Sequence, residues 1–375
     1  MGANWSAPEA RAGRRRFLGG AAGALALLVP AQAVWARPLP ARERGAARID
    51  VRAHGARGDG VRDDTAAFQA AIDALPPDGG VVQVPAGDYL IDPVRGVQLR
   101  GRMHLQLAAG ARLRARPNAA ERAYVLNVEG VEQVEISGGE IVGERDRHLG
   151  TSGEWGHGIM IRGSTGVTVH DMRLSKCWGD GISIGGQSGR GRPVRPSRDV
   201  VIANVVCLGN RRQGLTIGRS RQVRVYDSEF SETYGTLPAC GIDVEPDAGD
   251  ITEDVLIENC RARANQGAGI QLYKRVSRAI VRDCEIAGNR GYGIAVIGAA
   301  DCVLDGNHIR DNGLAGVGVR PGSRGIEIKG NRFAGNAAQR RRNATRAAAA
   351  PRVRHVSVAK GVPAVRIGDD NRFAD

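Results

Sequence analysis

One short phrase constrains this chain more than anything else in it. A glycine followed by three residues whose first and third are aliphatic recurs at Gly158, Gly181, Gly214, Gly241, Gly269, Gly293 and Gly316, at intervals of 23, 33, 27, 28, 24 and 23 residues. A period of that size with loop insertions is a solenoid signature. Within each phrase, as in Gly241-Ile242-Asp243-Val244-Glu245, the alternation has period two, so the aliphatic pair points into a core and the residues between and after it point outward. Each phrase is therefore one strand of a common sheet.

Two polar series punctuate the same repeat. Asp171, Asn204, Asp227, Asn259, Asp283, Asn307 and Asn331 each follow a Val/Ile alternation, and Asn210, Asn265, Asn289 and Asn312 each stand four residues before a repeat glycine. Asn and Asp tolerate the left-handed backbone of a tight corner, and stacked Asn side chains can bond one another along a ladder. Three strands and recurring corners per coil describe an all-β right-handed parallel β-helix. Such a solenoid escapes the size limit on a single globular core, so 375 residues fit one elongated unit. With 53 glycines and 4% aromatics, the composition suits short strands and tight turns.

Four regions follow. Arg14-Arg15-Arg16-Phe17-Leu18, the apolar stretch Gly19 to Val34 and small-residue sites up to Ala36 read as a twin-arginine signal peptide over 1–36, too short for a membrane span. The β-helix is expected over 47–336, an Ala/Arg-rich linker or loop over 337–352, and a C-terminal coil or cap over 353–375. The expected product is exported to the periplasm or beyond, without a membrane span, as a monomer. Cys260 and Cys284 share one inward column; stacked reduced thiols are the expectation and a disulfide the alternative.

The segment from Ile49 through Gly55, Gly58-Asp59-Gly60 and Asp63-Asp64-Thr65 to Asp73, followed by Gly79-Gly80 and Pro85-Ala86-Gly87-Asp88-Tyr89, resembles the N-terminal signature of the pectate-lyase superfamily, the polygalacturonase-like and rhamnogalacturonase/epimerase-like β-helices. Asp63 or Asp64 is expected to cap a helix whose stripe Ala67, Phe68, Ala71, Ile72 and Leu75 covers the open bottom of the solenoid. The resemblance implies an enzyme that cleaves glycosidic bonds in a polysaccharide, as hydrolase or lyase. A non-catalytic glycan-binding surface protein and a uronan C5-epimerase are the alternatives.

In such folds a glycan lies along the outward columns of the sheet. The first column runs Met160, Ser183, Thr216, Asp243, Gln271, Ala295, Gly318, and the second includes Gly185, Gly218, Glu245 and Tyr273. Only one rung carries two carboxylates. Asp243 and Glu245 can divide acid and base roles, or with Asp247 hold a calcium ion; no cofactor is otherwise required. Asp180, in Trp178-Gly179-Asp180-Gly181, resembles the polygalacturonase Asn-x-Asp-Gly motif with Trp178 in place of Asn, and Gly156-His157-Gly158 resembles that family's Gly-His-Gly. Asp180 is therefore a third catalytic candidate. His157, Trp178, Thr216, Tyr234, Gln271, Tyr273 and Lys274 are expected to bind substrate. The net charge of +13, almost all arginine, suits an anionic glycan. Nucleic acid is excluded as a partner, since no zinc-finger spacing, basic amphipathic helix or aromatic platform accompanies the charge.

Overall fold

The repeat glycines are needed because of what faces them. A Cβ on Gly158, Gly181, Gly214, Gly241, Gly269 or Gly293 would lie 2.5–2.8 Å from the carbonyl oxygen of the next repeat glycine. The amide one residue after each glycine donates to that same carbonyl, as Ile159 N does to Gly181 O at 3.0 Å. Coils approach so closely at this point that no side chain fits.

In the computed structural model, residues 37–189, 192–337 and 355–374 are described. The signal peptide expected over 1–36 and nearly all of the linker expected over 337–352 lie outside them. Residues from Leu39 onward make one unit. A typical coil contributes three strands, such as Ala300–Asp305, His308–Arg310 and Val317–Arg320. The first two belong to a long 23-stranded sheet and the third to a ten-stranded sheet, and the coil-to-coil pairings are parallel. This is a right-handed parallel β-helix, as the repeat predicts.

The expected register also holds in the ten-stranded sheet. Ile159, Ile182, Leu215, Ile242, Ile270, Ile294 and Val317 stack as nearest neighbours, all fully buried. Such aligned aliphatic columns, mostly β-branched, fill one continuous core.

The corners need one correction. Asp171, Asn204, Asp227, Asn259 and Asp283 take the left-handed conformation, with φ of 49–55°. Asn307 and Asn331 do not, because Gly306 and Gly330 (φ 65° and 63°) make those corners. The two asparagines turn inward instead, one residue later. There Asn307 Nδ2 donates to Asn331 Oδ1 at 2.9 Å, and Asn307 Oδ1 accepts from the amide of Cys284 at 3.0 Å. Of the second series Asn265, Asn289 and Asn312, extended by Asn336, form the expected buried ladder, linked amide to amide at 2.8–2.9 Å, whereas the buried Asn210 accepts from the amide of Cys177 at 3.0 Å and does not join it. A histidine ends it, since Asn336 Nδ2 lies 3.1 Å from Nδ1 of the buried His355. All six cysteines are buried and unpaired, including Cys260 and Cys284.

The capping helix spans Thr65–Asp73 and buries Phe68, Ala71 and Ile72. Asp64 stands at its N-cap without a side-chain capping bond and instead holds the turn amides of Arg57 and Gly58, while Asp63 accepts from Thr65 N at 2.9 Å. Gln69 on this helix exchanges two hydrogen bonds with the backbone of Gln98, which lies on the first strand of the ten-stranded sheet. One side chain thus satisfies part of an edge that would otherwise invite another strand.

Candidate functional site

The ten-stranded sheet places the outward residues as the repeat predicts. Met160, Ser183, Thr216, Asp243, Gln271, Ala295 and Gly318 are successive nearest neighbours across its strands. This column is not an open face, however. Asp243 is 0% exposed, and Met160, Ser183 and Ala295 are also buried. Side chains from the segments just before the repeat glycines fold over the strands.

Around Asp243 the enclosure is polar. Gln213 Nε2 donates to its Oδ2 at 2.9 Å and Gln271 Nε2 to its Oδ1 at 3.1 Å. Glu245 shares a further hydrogen bond with it. Burial pushes the Asp243 carboxyl well above the usual carboxylate range; the charge and hydrogen bond of Glu245 push it further, and Arg212 and Gln271 pull partly back. The surroundings of Asp243 therefore favour its acid form.

Two depressions flank this rung, and Glu245 lines both. The first, of about 460 Å³, is walled by His157, Asp180, Ser183, Thr216 and Asp247, with Arg122, Arg162, Arg212 and Arg219 around it. The second, of about 530 Å³, is more apolar and takes in Gln271, Tyr273, Tyr292 and Ile297. A polar, arginine-rich half and an aromatic half thus meet at one carboxylate.

The first half is held by a buried network. Arg212 reaches Glu154 at 3.1 Å and both oxygens of Asp180 at 3.4 Å. Burial works against its charge, but Asp180, Glu154 and Asp243 outweigh that effect. His157 accepts the Asp180 amide on Nδ1 at 3.0 Å, which leaves its proton on Nε2, and its ring stacks on Tyr124 at 5.4 Å. Burial holds His157 down at about 4, against the opposing charge of Asp180.

That depression links to stability. An imidazole whose folded value is depressed favours the folded state fully above its ordinary value of 6.5, and the benefit is lost as pH falls through about 4. The shift is worth about 3 kcal/mol. His157→Gln is expected to flatten the fall in urea-unfolding free energy between about pH 7 and about pH 4 by that amount. Equal falls in the variant and the parent would refute it.

Several sequence expectations meet in this groove and others do not. His157, Asp180, Thr216 and Asp247 line the first depression, and Gln271 and Tyr273 the second. Trp178 lies elsewhere, sandwiched between the His148 ring at 3.8 Å and the Arg211 guanidinium at 3.7 Å, so it packs loops together. Tyr234 is half exposed under Arg145 at 3.5 Å and lines neither depression. Lys274 follows the strand in a left-handed turn (φ 45°), rests its ammonium 4.6 Å over the Tyr273 ring and is not itself among the residues lining either depression. Among the described residues Asp243, Glu245 and Asp247 do not bring three donors together as a metal cluster. Amide donors also occupy both Asp243 oxygens, which a calcium ion would need as ligands.

Arg212 and Gln213 were not anticipated. The residue one before each repeat glycine, read down the coils, is His157, Asp180, Gln213, Cys240, Ala268, Tyr292 and Ala315. That column carried the signal, because it supplies much of the cover over the strands.

Two family models match the chain: "Right handed beta helix region" over residues 237–341 and "Rhamnogalacturonase A/epimerase, pectate lyase-like" over residues 48–127. The SPbeta prophage-derived uncharacterized protein YorA of Bacillus subtilis (strain 168) is 27% identical over 287 residues, which is 68% of this chain and 49% of YorA. The chain thus spans about half the length of that relative. The A-module of mannuronan C-5 epimerase AlgE4 from Azotobacter vinelandii superposes with a TM-score of 0.58 at 18% identity, covering 88% of this chain and 99% of the module. The tailspike gp49 of Acinetobacter baumannii bacteriophage Fri1, a capsular polysaccharide depolymerase, gives 0.61 at 16% identity, covering 87% of this chain and 59% of the tailspike. At such identities the likeness is one of fold. Among the described residues no helix is long and apolar enough to cross a membrane. On its architecture and both family matches, the chain is a right-handed parallel β-helix protein with a pectate-lyase-like N-terminal region.

Proposed function

We propose that this protein is an exported, polysaccharide-active enzyme that cleaves an acidic, pectin-type glycan lying along the ten-stranded sheet, with Glu245 as the reacting carboxyl. The reading rests on Glu245 standing between two depressions, beside a buried Asp243 whose carboxyl is pushed well above the usual carboxylate range. Arg122, Arg162 and Arg212, which line the first depression with it, supply the positive charge that a uronate carboxylate needs. Tyr273 and Tyr292 in the second depression give a sugar ring an apolar face.

The geometry favours β-elimination over hydrolysis. A hydrolase needs its two carboxyls about 5 Å or more apart, with the sugar or a water between them. Asp243 is fully buried beside Glu245 and lines neither depression, so only one carboxyl of the pair can reach a glycan. Asp243 is thus a positioning residue. In β-elimination Glu245 takes the proton from C5, the C5–H electrons form the C4=C5 double bond, and the C4–O4 bond breaks. The departing O4 takes back a proton from the same carboxyl pair. The fold's kinship with polysaccharide-active proteins, an epimerase module and a depolymerase tailspike among them, supports the substrate class.

The test is a panel of pectic, alginate, glucuronan and rhamnogalacturonan polymers. A lyase raises the unsaturated-uronate absorbance as chains shorten. New reducing ends without that absorbance would replace elimination by hydrolysis, and C5 proton exchange without shortening would make the enzyme an epimerase. Binding of a polymer with no chemical change would leave a glycan-binding protein and overturn the proposal.

A further inference from the structure

The long sheet carries a second cluster of chemistry-bearing side chains, away from the strands that form the groove. His104, Glu135 and His170 come from three successive coils, on the strands Met103–Leu107, Glu132–Ser137 and Thr165–Ser175. His104 is the nearest neighbour of Glu135 across the sheet, and His170 that of Ser137, two residues further along. Their chain neighbours Leu105, Ile136 and Val169 point into the core, so the alternation turns all three outward on one face. We propose that these three residues form a binding site for one divalent metal ion of the zinc class.

The donor geometry carries this. One atom from each residue lies within 4.8 Å of the other two. Glu135 Oε1 is 3.1 Å from His170 Nε2 and 3.5 Å from His104 Nε2. Around a tetrahedral ion with bonds of about 2.0–2.1 Å, donors stand roughly 3.3 Å apart. Two of the three donor pairs therefore already stand near the spacing that an ion would impose, and the two imidazole nitrogens lie within 4.8 Å of each other.

The surrounding groups orient the donors as they do at metal centres. Asp171 Oδ2 lies 2.7 Å from His170 Nδ1, which turns Nε2 towards the site in a carboxylate–histidine–metal arrangement. Asp171 is itself held by Asn204 Nδ2 at 2.5 Å. Arg44 donates to Glu135 Oε2 at 2.6 Å, leaving Oε1 as a single-oxygen ligand. The positive charges of Arg44 and Arg48 oppose a cation, and the carboxylates of Glu135 and Asp171 offset them. Ser137 Oγ, 2.7 Å from His104 Nε2, stands close enough to give a fourth donor directly or through water.

Two nitrogens and one oxygen suit zinc, cobalt or nickel better than calcium or magnesium, which prefer all-oxygen shells. The ligand side chains are only 7%, 16% and 15% exposed, which leaves little room for a substrate. The ion would pin three coils together and anchor the segment bearing Arg44 across them.

The test uses the full chain stripped with a chelator, then titrated with Co²⁺ by visible absorption and with Zn²⁺ by calorimetry. One ion per chain is expected, with a rise in melting temperature. His104→Ala and His170→Ala are expected to weaken binding by about 100-fold or more, and Asp171→Asn by about tenfold. His308→Ala, at an exposed position, leaves binding unchanged. Absence of stoichiometric binding, or equal affinity in the parent and His170→Ala, overturns the site. Should the histidine variants fail to fold, X-ray absorption of the zinc-loaded parent decides: two imidazoles in the shell support the site, and none overturns it. None of these readouts depends on the glycan reading.

Discussion

Glu245→Gln is expected to lower turnover of a susceptible uronan by about a thousand-fold, the range for removing a positioned proton-transfer group, while binding of the polymer is retained. Glutamine keeps the size of the side chain and an oxygen that accepts the hydrogen bond of Asp243. It cannot take a proton from carbon. The loss therefore falls on kcat rather than KM, because the groups that hold the glycan are elsewhere: the arginines of one depression and the aromatic rings of the other. Initial rates from unsaturated-uronate absorbance, alongside polymer retention in affinity electrophoresis, separate the two effects. Turnover within a few-fold of the parent would remove Glu245 from the chemistry, and a loss of binding would make it a contact residue instead.

The second large effect is on stability. Asn289→Leu is expected to cost about 4 kcal/mol, since four buried partners lose their hydrogen bond at about 1 kcal/mol or more each. They are the amide and the side-chain NH2 of Asn265, the carbonyl of Ala262 and Oδ1 of Asn312. Asn289 is 1% exposed, so water cannot replace it. The exposed ladder provides the contrast. Asn259 donates to Asp227 at 2.6 Å at an exposed corner, and Asn259→Ala is expected to cost about 1 kcal/mol, mostly for alanine in the left-handed conformation. Urea midpoints measure both. Similar costs for the two variants would mean that burial of the inner ladder does not set its energy.

Much of this protein was legible from local pattern alone. The two-residue alternation and the recurring glycines specified which side chains of each coil face inward, and the coil register followed, because one parallel strand stacked on another leaves little freedom to slip. The residue column through Thr216, Asp243 and Gln271 was readable for that reason, as was the helix that covers the bottom. The corner series misled only where glycine replaced the left-handed Asn, at Gly306 and Gly330, since either residue satisfies that conformation.

Depth and company were decided by the tertiary structure. Alternation says that Asp243 points away from the core, but not that Gln213 and Gln271 would seal it, nor that only Glu245 would reach the groove. Trp178, Tyr234 and Lys274 left the groove because loop conformation, which has no period, aims their side chains. The meeting of His104, Glu135 and His170 likewise depends on three coils stacking side by side, with His170 displaced by two residues along its strand. Inward and outward are properties of one strand and its sequence, whereas burial, charge environment and ligand convergence belong to neighbours that only the wound chain brings together.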